Sequence, residues 1–162
     1  MPVNTAKVEG RRKIKFASFD EMLADAERMS SGPVKAIGNW SPGQIYRHLA
    51  ISYNGAIDGL AIAFPWHMRL LVKLFKKMLI NMEMPAGYRM RPENAAITEP
   101  GPTSNEEGLA ELRAAVARLK REPQRAKHPL LGNLSNEDWD KVMLAHASMH
   151  MSFLVPGEGI TP

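Results

Sequence analysis

Ser41-Pro42-Gly43-Gln44-Ile45-Tyr46-Arg47-His48-Leu49 is the stretch whose reading decides the fold. Proline suits the first helical position, because that N–H has no intrahelical partner and the ring presets φ for a helix. Ser41 and Gln44 stand at Ser-x-x-Gln spacing, the capping box in which each side chain satisfies a backbone donor at the helix start. Ile45, Leu49, Ser52 and Ala56 then recur at helical spacing. His48 falls on the same face, since residues three and four apart are neighbours on a helix. A helix that carries a histidine on its apolar side is therefore predicted from Ser41 onward. Gly55 to Gly59 weakens it, and Pro65 ends what remains.

The same start signal recurs along the chain. Ser18 and Glu21 open a helix over about 18–30, with Phe19, Met22, Leu23, Ala26 and Met29 as its stripe, and Ser31-Gly32-Pro33 stops it. Ser104 and Glu107 open another, which runs through Leu109, Leu112, Val116 and Leu119 to Arg121, with Pro123 beyond. Ser135 and Asp138 open the last, through Trp139, Val142, Met143, His146, Met149, His150 and Phe153, closed by Pro156-Gly157. Between these lie an amphipathic helix, Trp66 to Met82, and a loop from Met84 to Thr103 that contains four prolines. The loop is long enough to cross between non-adjacent helix ends. An all-α fold is predicted, a four-helix bundle with a long crossover and one inserted amphipathic helix. Residues 1–15 are expected to form a basic flexible tail, 16–156 the bundle domain, and 157–162 a fraying C-terminal tail.

Composition agrees. Ala, Leu, Met, Glu, Gln, Lys and Arg supply 80 of the 162 residues and Val, Ile and Thr only 20, which disfavours an all-β fold. The chain has no cysteine, so disulfides, cysteine-ligated zinc, iron–sulfur clusters and a thiol nucleophile of its own are excluded. The polar, basic N-terminal stretch has no apolar secretory segment, and a cytoplasmic location is expected. The net charge of +4 is uneven: residues 7–15 carry five cations and one acid, residues 66–91 six and one, and the remainder ten and fifteen. No fold motif and no interleaved aromatics support nucleic-acid binding, and none is expected.

Five histidines stand at 48, 67, 128, 146 and 150. His146 and His150 are four apart in one helix, so both imidazoles project from one face and can share a metal. No glutamate follows His146, so this is not a zincin motif. Two rim or solvent-facing histidines would show the same spacing. His48 on another inner face supplies a third imidazole, and three neutral imidazoles make a metal site with open positions. Imidazole suits zinc, nickel, iron or copper and does not select among them. Gln44, one turn before His48, is a candidate to orient it, beside its role in the cap. His128, before a proline in a loop, is a candidate substrate contact. No phosphate loop, nucleophile elbow or paired-carboxylate motif is present.

Trp40-Ser41-x-Gly43-Gln44-Ile45-x-x-His48-Leu49 followed by His146-x-x-x-His150 resembles the DinB/YfiT-like superfamily of metal-binding four-helix bundles. The blocks Met84-Pro85-Ala86-Gly87-Tyr88, His128-Pro129-Leu130-Leu131-Gly132 and His150-Met151-Ser152-Phe153-Leu154-Val155-Pro156 resemble an uncharacterised branch of it. The resemblance implies that His48, His146 and His150 are ligands of a divalent transition metal, zinc or nickel first. It also implies a metal-dependent hydrolase or thiol transferase acting on a small molecule, with metal-activated water or an external low-molecular-weight thiol. A metal-stabilised binding or structural bundle is the alternative. The inserted helix 66–82 departs from the minimal bundle. Its broad apolar surface predicts a homodimer, with attachment to an anionic membrane as the competing explanation.

Overall fold

The computed structural model describes residues 2–88 and 90–157. Among these, six helices and two short strands follow the order α1 (Phe19–Ser30), β1 (Val34–Ala36), α2 (Pro42–Asp58), α3 (Trp66–Asn81), α4 (Pro92–Thr98), α5 (Asn105–Arg121), α6 (Asn136–Met151) and β2 (Leu154–Pro156). The protein is mostly helical. No helix among the described residues is long and apolar enough to cross a membrane.

The serine caps form as the sequence dictates. The Ser41 and Ser104 hydroxyls accept from the amides of Gln44 and Glu107, and both glutamine and glutamate side chains reach back to the cap amide. Ser18 and Ser135 also accept from the amide three residues on, at 3.1 Å each. Neither box is reciprocal at the cap itself: the Glu21 carboxylate accepts instead from the Ala17 amide, at 2.7 Å.

α1, α2, α5 and α6 close a ring, each touching two of the others: α1 on α5, α5 on α2, α2 on α6, α6 on α1. Between them lie Met22, Met29, Tyr46, Leu49, Tyr53, Leu112, Val116 and Met151, all sealed from solvent. α2 and α5 run parallel, in step through Arg47 with Glu111 (2.6 Å) and Asp58 with Arg118 (2.6 Å). Parallel neighbours require the chain to return the whole helix length, about 25 Å for a helix of this size. Residues 59–104 make that return. The backbones of α2 and α5 approach closely at two glycines. A Cβ on Gly43 would meet the Ser104 carbonyl oxygen at 2.2 Å, and one on Gly108 would meet the Gly43 carbonyl oxygen at 2.2 Å.

Three features differ from the sequence reading. The chain is not purely helical: β1 and β2 pair antiparallel, Lys35 opposite Val155, which ties the turn after α1 to the exit of α6. The expected loop 84–103 holds α4, opened by Pro92.

Two of the five basic residues in the expected N-terminal tail, Arg11 and Arg12, are fastened down, whereas Lys7, Lys13 and Lys15 are exposed. Arg12 pairs through both terminal nitrogens with Asp25, at 2.8 and 2.7 Å, and donates to backbone carbonyls at Met151 and Leu154. Arg11 donates to the Ser152 hydroxyl and lies 4.4 Å over the Phe153 ring. A guanidinium offers five donors in a fixed fork, which suits a helix end rich in open carbonyls.

α3, read as an amphipathic helix with a broad apolar surface, rests on α6 by a narrow edge. Ile80 is buried and Met68, Val72, Lys76 and Leu79 are half-buried, whereas Leu70, Leu71, Leu74, Phe75 and Met78 face solvent. The expected C-terminal fraying falls almost wholly on residues 158–162, outside the described residues.

Candidate metal centre

α2 and α6 are antiparallel neighbours, and Tyr53 reaches the Met143 carbonyl from one to the other. The histidine of one therefore comes level with the histidine pair of the other. His48, His146 and His150 each present one ring nitrogen, and the three nitrogens lie within 4.8 Å of one another. His48 Nε2 and His146 Nε2 are 3.2 Å apart. For zinc–nitrogen bonds of about 2.0–2.1 Å, the edge of a tetrahedral site is about 3.3 Å. The donor set and its spacing therefore fit a divalent transition metal.

The tautomer of His48 is set from behind. Its Nδ1 lies 2.8 Å from the Thr98 carbonyl oxygen, which can only accept, so Nδ1 carries the proton. Nε2 is left with a bare lone pair turned toward His146. This is the usual device by which a protein orients a ligating histidine. Burial holds all three imidazoles neutral. The pKa of His48, which is only 4% exposed, is lowered by burial against the opposing pull of the Thr98 carbonyl. That of His146 is pushed down to about 3, by burial first and then by His48 and His128. That of His150 lies well below its ordinary value, by burial first and then by His146, His48 and Arg11. Neutral imidazole is the form that binds metal.

Trp40 walls the site. Its ring is stacked on His150, 5.4 Å between centroids at 19°, and tilted against His48 at 4.7 Å. His146 and His150 are half-buried, whereas His48 is buried.

The other candidates lie elsewhere in the hydrogen-bond network. Gln44 uses its oxygen on the Ser41 amide (3.0 Å) and its nitrogen on the Gly101 carbonyl (3.1 Å), which joins the start of α2 to the loop before α5. Neither bond reaches His48. His128 Nδ1 accepts from the amides of Leu130 (3.1 Å) and Leu131 (3.0 Å), and its ring lies against Trp139. Only its Nε2 is left to meet a ligand. His67 stands apart, on the exposed side of α3.

Two participants escaped the sequence reading. Trp40 had a usable signal: it directly precedes the Ser41 cap, where an apolar residue commonly packs back over the first turn. The Thr98 carbonyl had none, being backbone in a short helix hidden among prolines.

No curated protein and no solved structure matches the chain. The profile of one family, described as "Protein of unknown function (DUF1569)", matches residues 8–157. That span takes in α1 to α6, both strands and all three triad histidines. The chain belongs to the DUF1569 family of proteins of unknown function.

Proposed function

We propose that this chain is a metal-dependent enzyme of the DinB/YfiT-like kind, a bundle in which His48, His146 and His150 hold one divalent transition metal. The observation that carries this reading is the convergence of three neutral imidazoles with the His48 lone pair turned inward by Thr98. Zinc or nickel is the first choice, and iron or copper suits the same donors. When bound, the ion supplies Lewis acidity, at the positions the imidazoles leave open, to water or to an external thiol.

The chain's own residues do the rest. Thr98 fixes one ligand, and Trp40 shields the face of His150 from water. His146 and His150, half-buried where His48 is buried, are the side from which a small-molecule substrate would approach. The chain has no thiol, so thiol chemistry needs a low-molecular-weight thiol from solution. His128 Nε2 is the candidate contact to such a substrate.

The test is a screen of metal-loaded protein against thiols paired with electrophiles, and against esters and amides. Turnover that disappears in His146→Ala supports the reading. A second reading, a non-catalytic bundle stabilised by metal, draws on the indole packed over the triad. Metal that raises Tm while wild type and His146→Ala show the same absence of turnover favours it.

A further inference from the structure

Nine large apolar side chains are exposed among the described residues, and six of them lie on α3: Trp66, Leu70, Leu71, Leu74, Phe75 and Met78. Trp66 and Leu74 are 77% and 76% exposed. Apolar side chains scattered singly over a surface are ordinary, but a continuous stripe on one helix marks an interaction site. The stripe is not spare core, since α3 packs on α6 through its other edge, at Val72, Leu79 and Ile80.

The charge beside the stripe indicates what covers it. No acidic residue occurs between Pro65 and Met82, whereas Arg69, Lys73, Lys76 and Lys77 do. Lys76 is turned to the Asn133 carbonyl, and the other three are exposed. At the C-terminal end of α3, Asn81 to Met84 share the lining of a cavity of about 940 Å³ with Arg11, Lys13 and Lys15. The fold thus places the end of α3 beside the basic N-terminal stretch, on a chain that is acidic outside residues 7–15 and 66–91.

A second copy of α3 could cover the stripe, but it would offer the cations no carboxylate. An anionic lipid surface meets both demands, since acyl chains take the leucines and phenylalanine while phosphates take the lysines and arginines. We propose that α3 is a docking helix that lies in the plane of an anionic membrane surface. It buries Leu70, Leu74, Phe75 and Met78 among the lipids and sets Arg69, Lys73 and Lys77 at headgroup level. The proposal does not depend on the metal.

The experiment is flotation of the whole protein with phosphatidylcholine vesicles, with and without phosphatidylglycerol, beside light scattering without detergent. Leu74→Glu and the pair Lys73→Glu with Lys77→Glu alter only exposed positions, and circular dichroism checks their fold. The expected result is a monomer that floats with the anionic vesicles and stays behind with the neutral ones. Its partitioning should weaken about tenfold or more in Leu74→Glu and in the lysine pair. Three results would overturn the proposal: no flotation, flotation unchanged by these variants, or a stable non-floating dimer that Leu74→Glu disperses.

Discussion

His48 and Thr98 are joined across 50 positions of sequence by a single bond, from the imidazole Nδ1–H to the backbone carbonyl, at 2.8 Å. That bond makes the short helix α4 part of the candidate metal site, although it contributes no ligand. α4 is itself held by Asn94, a buried side chain that donates to the Ala63 carbonyl (2.9 Å) and accepts from the Ala63 amide (3.2 Å).

Asn94→Ala leaves both Ala63 groups without their partner and loosens α4. The expected cost is about 1–3 kcal/mol of stability by urea denaturation. Metal affinity should fall about tenfold, because the partner that orients His48 moves while all three ligands remain. Unchanged affinity in a destabilised variant would detach α4 from the site.

The contact of Gly43 with Gly108 sets how closely α2 meets α5. Either glycine replaced by alanine drives a methyl group into backbone, which cannot move aside as a side chain can. Gly43→Ala and Gly108→Ala should each cost about 3 kcal/mol or more. Thermal denaturation measures this, and a loss below about 1 kcal/mol would show that the helices slide apart at little cost.

Acid should unfold the protein partly through His128. Burial first, and then Lys76, push its pKa down from 6.5 to about 4, and two amides point at its bare Nδ1. The folded state therefore prefers the neutral ring. Its contribution is complete above about pH 6.5 and is lost as pH falls toward 4, because the unfolded chain takes up the proton first. This amounts to on the order of 2–3 kcal/mol. In His128→Asn the amide oxygen can accept the same two bonds without titrating. The stability of the metal-free wild type should fall between pH 6.5 and 4 more steeply than that of the variant. The triad histidines contribute to both, apart from the last and smallest share that His128 adds to the lowering of His146, and parallel curves would contradict the assignment.

Arg12 and Asp25 form an ion pair with side chains only 13% and 10% exposed. Removal of Arg12 leaves Asp25 with Arg28 alone, at 2.7 Å, and deprives the Met151 and Leu154 carbonyls of their donor, so Arg12→Met should cost about 1–3 kcal/mol by urea denaturation. Lys120→Ala, which breaks an exposed pair with Asp20, should cost less than about 1 kcal/mol. Equal losses would mean that the N-terminal segment is not strapped to the core.

Sequence made visible what is local and periodic. Ser41, Pro42 and Gln44 announce α2 because a helix start is chemically demanding within four residues. His146 and His150 declare a shared face by spacing alone. What stayed hidden depends on distant partners. Arg11 and Arg12 read as a solvated tail because Ser152 and Leu154, their acceptors, lie some 140 positions away. β1 and β2 are three residues each, too short for an alternating pattern. α4 is seven residues between prolines, and only Pro92 hints at its start. The stripe of α3 was legible as an apolar surface broader than one packed edge needs, but helical spacing does not say what covers it.

The account rests on the metal. Elemental analysis of protein purified without a histidine tag tests it most directly, set beside His146→Ala and His48→Ala prepared the same way and shown to be folded by circular dichroism. The account predicts one transition-metal ion per wild-type chain and a loss of most of it in both variants. Sub-stoichiometric metal that falls no further in His146→Ala would contradict it.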